Sequence, residues 1–267
     1  MTTPRTTARS VAIAVANQKG GVGKTTTVCN LGAGLAGLGR RVLLIDCDPQ
    51  AHLTSGLGLV PDELEHTILD VLDERCELAD VIVDVTPPGT AGVLHLVPSR
   101  LELAAAELRL LAAPGRESIL RGKLAAIRDK YNIILIDAPP SLGVLALNAL
   151  VAGDTVLVPL QPEAFALGGL RQLTETITAI GRRVSPDLRL GLVLAVQVDG
   201  RTVLHRDKLA DLRERFKDEL CGTVIRRCIA LAEAQAAGQS VFQYDATSNG
   251  ATDYAALANE ITARMKL

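Results

Sequence analysis

The chain has no tryptophan, and its three tyrosines and three phenylalanines make up only 2% of 267 residues. Interleaved aromatic and basic residues for stacking single-stranded nucleic acid are therefore missing. Its five cysteines, Cys29, Cys47, Cys76, Cys221 and Cys228, are odd in number, scattered and without a CxxC pair. That spacing excludes a disulfide framework and a zinc site, and a reducing cytoplasm is expected. The four histidines, His52, His66, His95 and His205, show no metal-ligand spacing. Excess charge is absent too, with 28 Lys and Arg against 30 Asp and Glu. Any nucleic-acid surface must then be a local patch. No apolar run reaches the length of a membrane span, and Val11 to Ala16 is too short for a signal peptide.

What the chain does have is 48% hydrophobic residues, enough for a sizeable core. Short apolar runs alternate with helix-like segments: residues 11–15, 41–46, 93–98, 132–137, 154–160 and 188–196 read as strands. This alternation predicts one α/β domain with a mostly parallel twisted sheet, covered by helices on both faces. Helices are expected near 24–38, 67–74, 100–112, 116–129, 143–151, 165–183, 204–219 and 251–266, with an edge strand at 81–85. The polar residues 1–10 are expected to form a flexible tail before a domain spanning 11–267.

NQKGGVGKTTT, Asn17 to Thr27, follows the first expected strand and opens the first expected helix. That is the context a phosphate-binding loop needs. Gly20, Gly21 and Gly23 let the backbone aim successive N–H groups inward, with Val22 between them, and Lys24 supplies a point charge for terminal phosphates. Thr25 is placed to offer its hydroxyl to magnesium, and Thr26 completes the cradle. Against GxxxxGK[ST], the first glycine position holds Gln18, and a second lysine, Lys19, precedes Lys24 by five residues. These features define a P-loop NTPase fold with a deviant loop, binding ATP or ADP with Mg2+.

Two further motifs end strands in carboxylates: DCDPQ, Asp46 to Gln50, and IILIDAPPSLG, Ile133 to Gly143. Carboxylates at the C-terminal ends of neighbouring parallel strands converge on the crevice where ligands bind. One can support magnesium through water and another can orient the attacking water.

With these motifs, and with AHLTSGLG (51–58), LHLVPSRLELAAAE (94–107) and VDGRT (198–202), nearly the whole chain resembles the ParA/Soj family of partition ATPases, in the deviant Walker A group that also contains MinD. The resemblance implies that Lys19 reaches across a two-fold interface to the partner's ATP, making a homodimer on ATP binding. It implies Asp48 as the water-activating residue, with Asp46 supporting the magnesium shell and Asp137 as the Walker B carboxylate. It further implies nonspecific double-stranded DNA binding on the nucleoid and a ParB-like activator protein. Arg201, Arg226 and Arg227 are the candidate DNA contacts. Ala230, Thr247 and Asn249 stand where such chains commonly carry basic residues, which predicts weakened DNA binding. The same machine could position a protein cargo. A MinD-like membrane regulator would need a more basic final helix than one ending in Arg264 and Lys266, and DCDPQ with SGLG argues against a metabolic enzyme of the superfamily.

Overall fold

The computed structural model describes residues 10–111, 114–163, 166–186 and 188–267. Apart from Ser10, the expected tail lies outside them; Ser10 is buried, and its carbonyl accepts a hydrogen bond from Arg128 at 2.9 Å.

Along the chain come β1 (Val11–Val15), α1 (Lys24–Gly37), β2 (Arg41–Asp46), α2 (His52–Gly56), α3 (Ile68–Leu72), β3 (Val83–Asp84), β4 (Val93–Val97), α4 (Leu103–Leu110) and α5 (Ile119–Ala125). Then follow β5 (Ile133–Asp137), α6 (Val144–Ala152), β6 (Thr155–Leu160), α7 (Ala166–Arg183), β7 (Arg189–Val198) and α8 (Val203–Arg215). The last elements are β8 (Leu220–Arg226), α9 (Ile229–Ala236), α10 (Val241–Tyr244) and α11 (Asn249–Met265). The eight strands form one sheet in the order β3-β4-β2-β5-β1-β6-β7-β8, parallel except for β3, which runs antiparallel to β4.

The central strands are apolar on both faces because both are covered. Every residue of β5 and β6 is buried, as the continuous runs IILID and TVLVPL require. One face packs Ile134, Ile136, Val156 and Val158 against α3 to α7, and the other packs Ile13, Val15, Leu44 and Leu135 against α1 and α11. Parallel pairing brings the ends of β1, β2 and β5 level: Asp46 lies opposite Asp137, and Val15 opposite Asp137 on the other side. The strand ends therefore open on a common crevice.

The expected elements appear with shifted ends. The helix expected over 116–129 is α helix only across Ile119–Ala125, with 3-10 turns on either side, and the edge strand shrinks to Val83–Asp84. The short helices α2, α9 and α10 were not anticipated, nor was β8, because LCGTVIR carries a glycine and polar residues at the sheet margin. Strand β8 is held by α11: Glu260 accepts the N–H groups of Gly222 and Thr223 at 2.8 Å, and Arg264 donates to the carbonyls of Asp218 and Leu220. Among the described residues no helix is long and apolar enough to cross a membrane.

Candidate active site

The loop after β1 turns into α1 at Gly23, which caps the helix in the left-handed conformation, φ 81°. Gly21 is also left-handed, φ 71°, and nothing lies within 4 Å of where either would carry a Cβ. Glycine is needed there for the backbone angle, since side chains in that region are strained. The open space beside it is where a ligand would approach.

The two lysines of this loop face different surroundings. Lys24 is 7% exposed, and burial pulls its pKa down while the Asp137 and then the Asp48 carboxylates push it up. Lys19 stays on the rim with its side chain 54% exposed, its Nζ 2.6 Å from Glu163 Oε2 and 3.0 Å from Gln161 Oε1. Asn17 ties the loop to β6 beneath, accepting from the Lys19 N–H at 3.0 Å and donating to the Pro159 carbonyl at 2.7 Å.

Asp137 accepts the Thr25 hydroxyl on Oδ2 at 2.7 Å, while its buried Oδ1 has no hydrogen-bond partner among the described residues. Burial, and then the neighbouring Asp46 charge, hold this carboxyl well above the usual carboxylate range. Burial likewise pushes Asp46 up to about 7, against the hydrogen bonds it receives from Thr54. Two buried carboxyls opposite one another, one with an orphaned oxygen beside a threonine hydroxyl, fit a cation that would be shared with bound phosphates. Among the described residues no group of three or more His, Cys, Asp or Glu is arranged to hold a metal alone, which suits magnesium bound through one or two protein ligands.

Asp46 is engaged within the protein. Its Oδ1 accepts the Asp48 N–H at 3.1 Å, and its Oδ2 accepts the Thr54 N–H at 3.0 Å and hydroxyl at 2.7 Å. Asp48 is nearly buried, with Oδ1 accepting the Gln50 N–H at 3.0 Å.

Beside the loop lies a cavity of about 330 Å³ lined by Gly23, Thr26, Gln197, Ile225, Cys228 and Gln235. The Thr26 hydroxyl donates to Gln235 Oε1 at 3.3 Å, and Gln197, left-handed at φ 53° where β7 changes register, donates from Nε2 to the Gly21 carbonyl at 3.0 Å. Sequence reasoning missed Gln197, Gln235 and Glu163, because each meets the loop from more than 140 residues away.

Two of the three candidate DNA arginines are committed to neighbouring acids. Arg226 forms a two-pronged pair with Asp253, Nη2 to Oδ1 at 2.7 Å and Nε to Oδ2 at 3.0 Å. Arg201 pairs in the same way with Asp199, at 2.8 and 3.0 Å. Arg227 is exposed and forms no ion pair among the described residues.

A strand-loop-helix phosphate cradle at the end of a parallel sheet, with lysine, threonine and aspartate converging on it, defines a P-loop nucleotide hydrolase. A family model described as an AAA domain matches residues 10–190. The sporulation initiation inhibitor protein Soj of Bacillus subtilis is 42% identical over 251 residues, covering 94% of this chain and 98% of Soj. The chromosome partitioning protein ParA of Myxococcus xanthus is 40% identical, covering 94% and 88% of the two chains. Among solved structures, a cobyrinic acid a,c-diamide synthase from Mycobacterium smegmatis, with bound ADP and magnesium, superposes with a TM-score of 0.82 at 38% identity over 96% of both chains. The chain belongs to the ParA/Soj family of partition ATPases.

Proposed function

We propose that this chain hydrolyses ATP with magnesium, dimerises when ATP is bound, and uses that cycle to move cargo over nonspecific DNA. The observation that carries this reading is the division between the two lysines: Lys24 is buried toward its own carboxylates, whereas Lys19 waits on the rim, held by an exposed ion pair with Glu163 and a hydrogen bond to Gln161. A half-exposed pair of this kind is worth at most about 1 kcal/mol, so a partner's phosphates would displace it readily.

The residues divide the chemistry among them. The N–H groups from Gly20 to Thr26 and the Lys24 ammonium bind the phosphate chain, and the cavity lined by Gln197 and Gln235 takes the nucleoside. Thr25 and Asp137 would hold a magnesium ion, which would supply positive charge against the terminal phosphates; Asp46 acts on the loop that carries Asp48. Asp48 orients the attacking water and accepts its proton as the water oxygen bonds to the γ-phosphorus and ADP departs. Lys19 from the partner adds positive charge where negative charge develops, so hydrolysis removes what joins the halves.

The likeness to ParA and Soj relatives supports a ParB-like activator and a chromosome or plasmid cargo on the nucleoid as part of this reading; a protein cargo would use the same cycle. Size-exclusion chromatography with light scattering, with a nonhydrolysable ATP analogue present, tests the core of the reading. The unaltered chain should run as a dimer and Lys19→Ala as a nucleotide-bound monomer. A Lys19→Ala dimer of normal stability would overturn the trans role.

The Mycobacterium neighbour favours a second reading, ATP-dependent amide formation on a corrinoid carboxylate. Glutamine-dependent amidation needs an activated thiolate; Cys29, Cys47 and Cys221 are buried with thiols pushed up, and Cys76 is pushed up by burial and nearby acids, which leaves this reading to Cys228 in the cavity beside the loop. Corrinoid amidation by the purified chain, with ammonia or glutamine, would revive it.

A further inference from the structure

Asp48 leaves the end of β2 on a short loop, and its main chain is gripped at both polar groups. Its N–H donates to Asp46 Oδ1 at 3.1 Å, and its carbonyl accepts the Ser99 hydroxyl at 2.8 Å. Ser99 comes from the segment after β4, and its own N–H donates to Thr54 Oγ1 at 2.9 Å. Thr54, on α2, passes its single hydroxyl proton to Asp46 Oδ2 at 2.7 Å. The bonds close a ring from Asp46 through Thr54 and Ser99 to Asp48 and back. Asp46, Thr54 and Ser99 are all fully buried.

We infer that Ser99 and Thr54 form a hydroxyl clamp that positions Asp48 for ATP hydrolysis, which makes both of them positioning residues for the reaction. The inference rests on the reading of Asp48 as the water-orienting group. Polar groups so deeply buried are costly unless matched, and here every donor in the ring is matched within it. Ser99 gives its hydroxyl to the Asp48 carbonyl, fixing this main-chain atom from a segment outside the loop. Ala51, left-handed at φ 52°, donates its N–H to that same carbonyl at 3.0 Å and closes the turn. With the backbone held on both sides, the Asp48 carboxylate moves only about its own side-chain torsions. A displacement of about 1 Å at a group that orients a reactant costs on the order of a hundredfold in rate.

The test is steady-state and single-turnover ATP hydrolysis by the full chain with magnesium, alongside ADP affinity and thermal melting. Ser99→Ala should lower kcat roughly 10- to 100-fold while KM and ADP affinity stay within about twofold, because none of the ring's hydrogen bonds involves a residue of the phosphate loop. Thr54→Val should behave like Ser99→Ala, and Thr54→Ser, which keeps the hydroxyl, should recover most of the rate. If Ser99→Ala fails to fold, the two Thr54 variants carry the same test. The decisive variant combines Ser99→Ala with Asp48→Ala. A group that acts through Asp48 should add no loss once Asp48 is gone, so the double variant should match Asp48→Ala. A Ser99→Ala enzyme with unaltered kcat, or a double variant whose losses multiply in full, would overturn the clamp. Unaltered turnover in Asp48→Ala would instead overturn the role of Asp48 on which the clamp depends.

Discussion

The nucleotide face and the C-terminal face of the sheet treat charge in opposite ways. At the ends of β2 and β5, Asp46 and Asp137 are buried opposite one another, both held above the usual carboxylate range, and Asp137 Oδ1 has no partner among the described residues. At the margin formed by β8 and α11, Arg226 is already matched by Asp253, and Arg201 by Asp199 in the loop after β7. The first region is short of positive charge until a ligand arrives; in the second, two of three candidate cations have been satisfied from within. A binding site is recognised by what the fold leaves unmatched, and residue type alone does not report that.

The comparison predicts its largest effects on the nucleotide face. Lys24→Ala should lower ATP hydrolysis by a hundredfold or more, roughly the loss from removing one preorganised charge at a developing anion; turnover within tenfold of the unaltered chain would break the site assignment. Lys19→Ala should leave nucleotide affinity within about threefold and abolish the ATP-dependent dimer, whereas Glu163→Gln, which frees Lys19, should favour the dimer by up to about fivefold in analytical ultracentrifugation.

The unmatched carboxyls also set a pH dependence. Both keep their protons to higher pH folded than unfolded, so they favour the fold at low pH, and that advantage fades as pH rises from about 4 through the value of about 7 held for Asp46. Asp137→Asn should flatten this slope in melting experiments without ligand and raise the melting temperature of the ligand-free chain at pH 8. A steeper slope would mean that the buried charge is balanced elsewhere.

The smallest effects belong to the C-terminal face. Arg226→Ala and Arg201→Ala should weaken nonspecific DNA binding less than about threefold, while Arg227→Ala should reduce the salt slope of binding by about 1. Large, equal losses for all three would show that DNA phosphates displace Asp199 and Asp253, and the contrast between the faces would disappear.

Much of the nucleotide face was legible because its parts are local. GGVGKTT, DCDPQ and the IILID run each announce a turn or strand end within a few residues, and parallel pairing then brings them together. Less legible were β8 and α9, whose mixed polar and apolar residues obey no clear period at the sheet edge. The partners of the loop were hidden for a different reason. Glu163 and Gln197 are ordinary polar residues until the sheet order sets β6 beside β1 and the irregular end of β7 turns Gln197 onto Gly21.

By itself, then, the sequence determined the phosphate cradle, the strand-end carboxylates and the layered α/β architecture, because glycine geometry, helix polarity and apolar periodicity act over short stretches of chain. Tertiary structure alone decided that Lys19 rests on Glu163 and that Arg226 is matched by Asp253. Charge pairing depends on distance in space, and residues separated by 144 and 27 positions are equally close once the chain has folded.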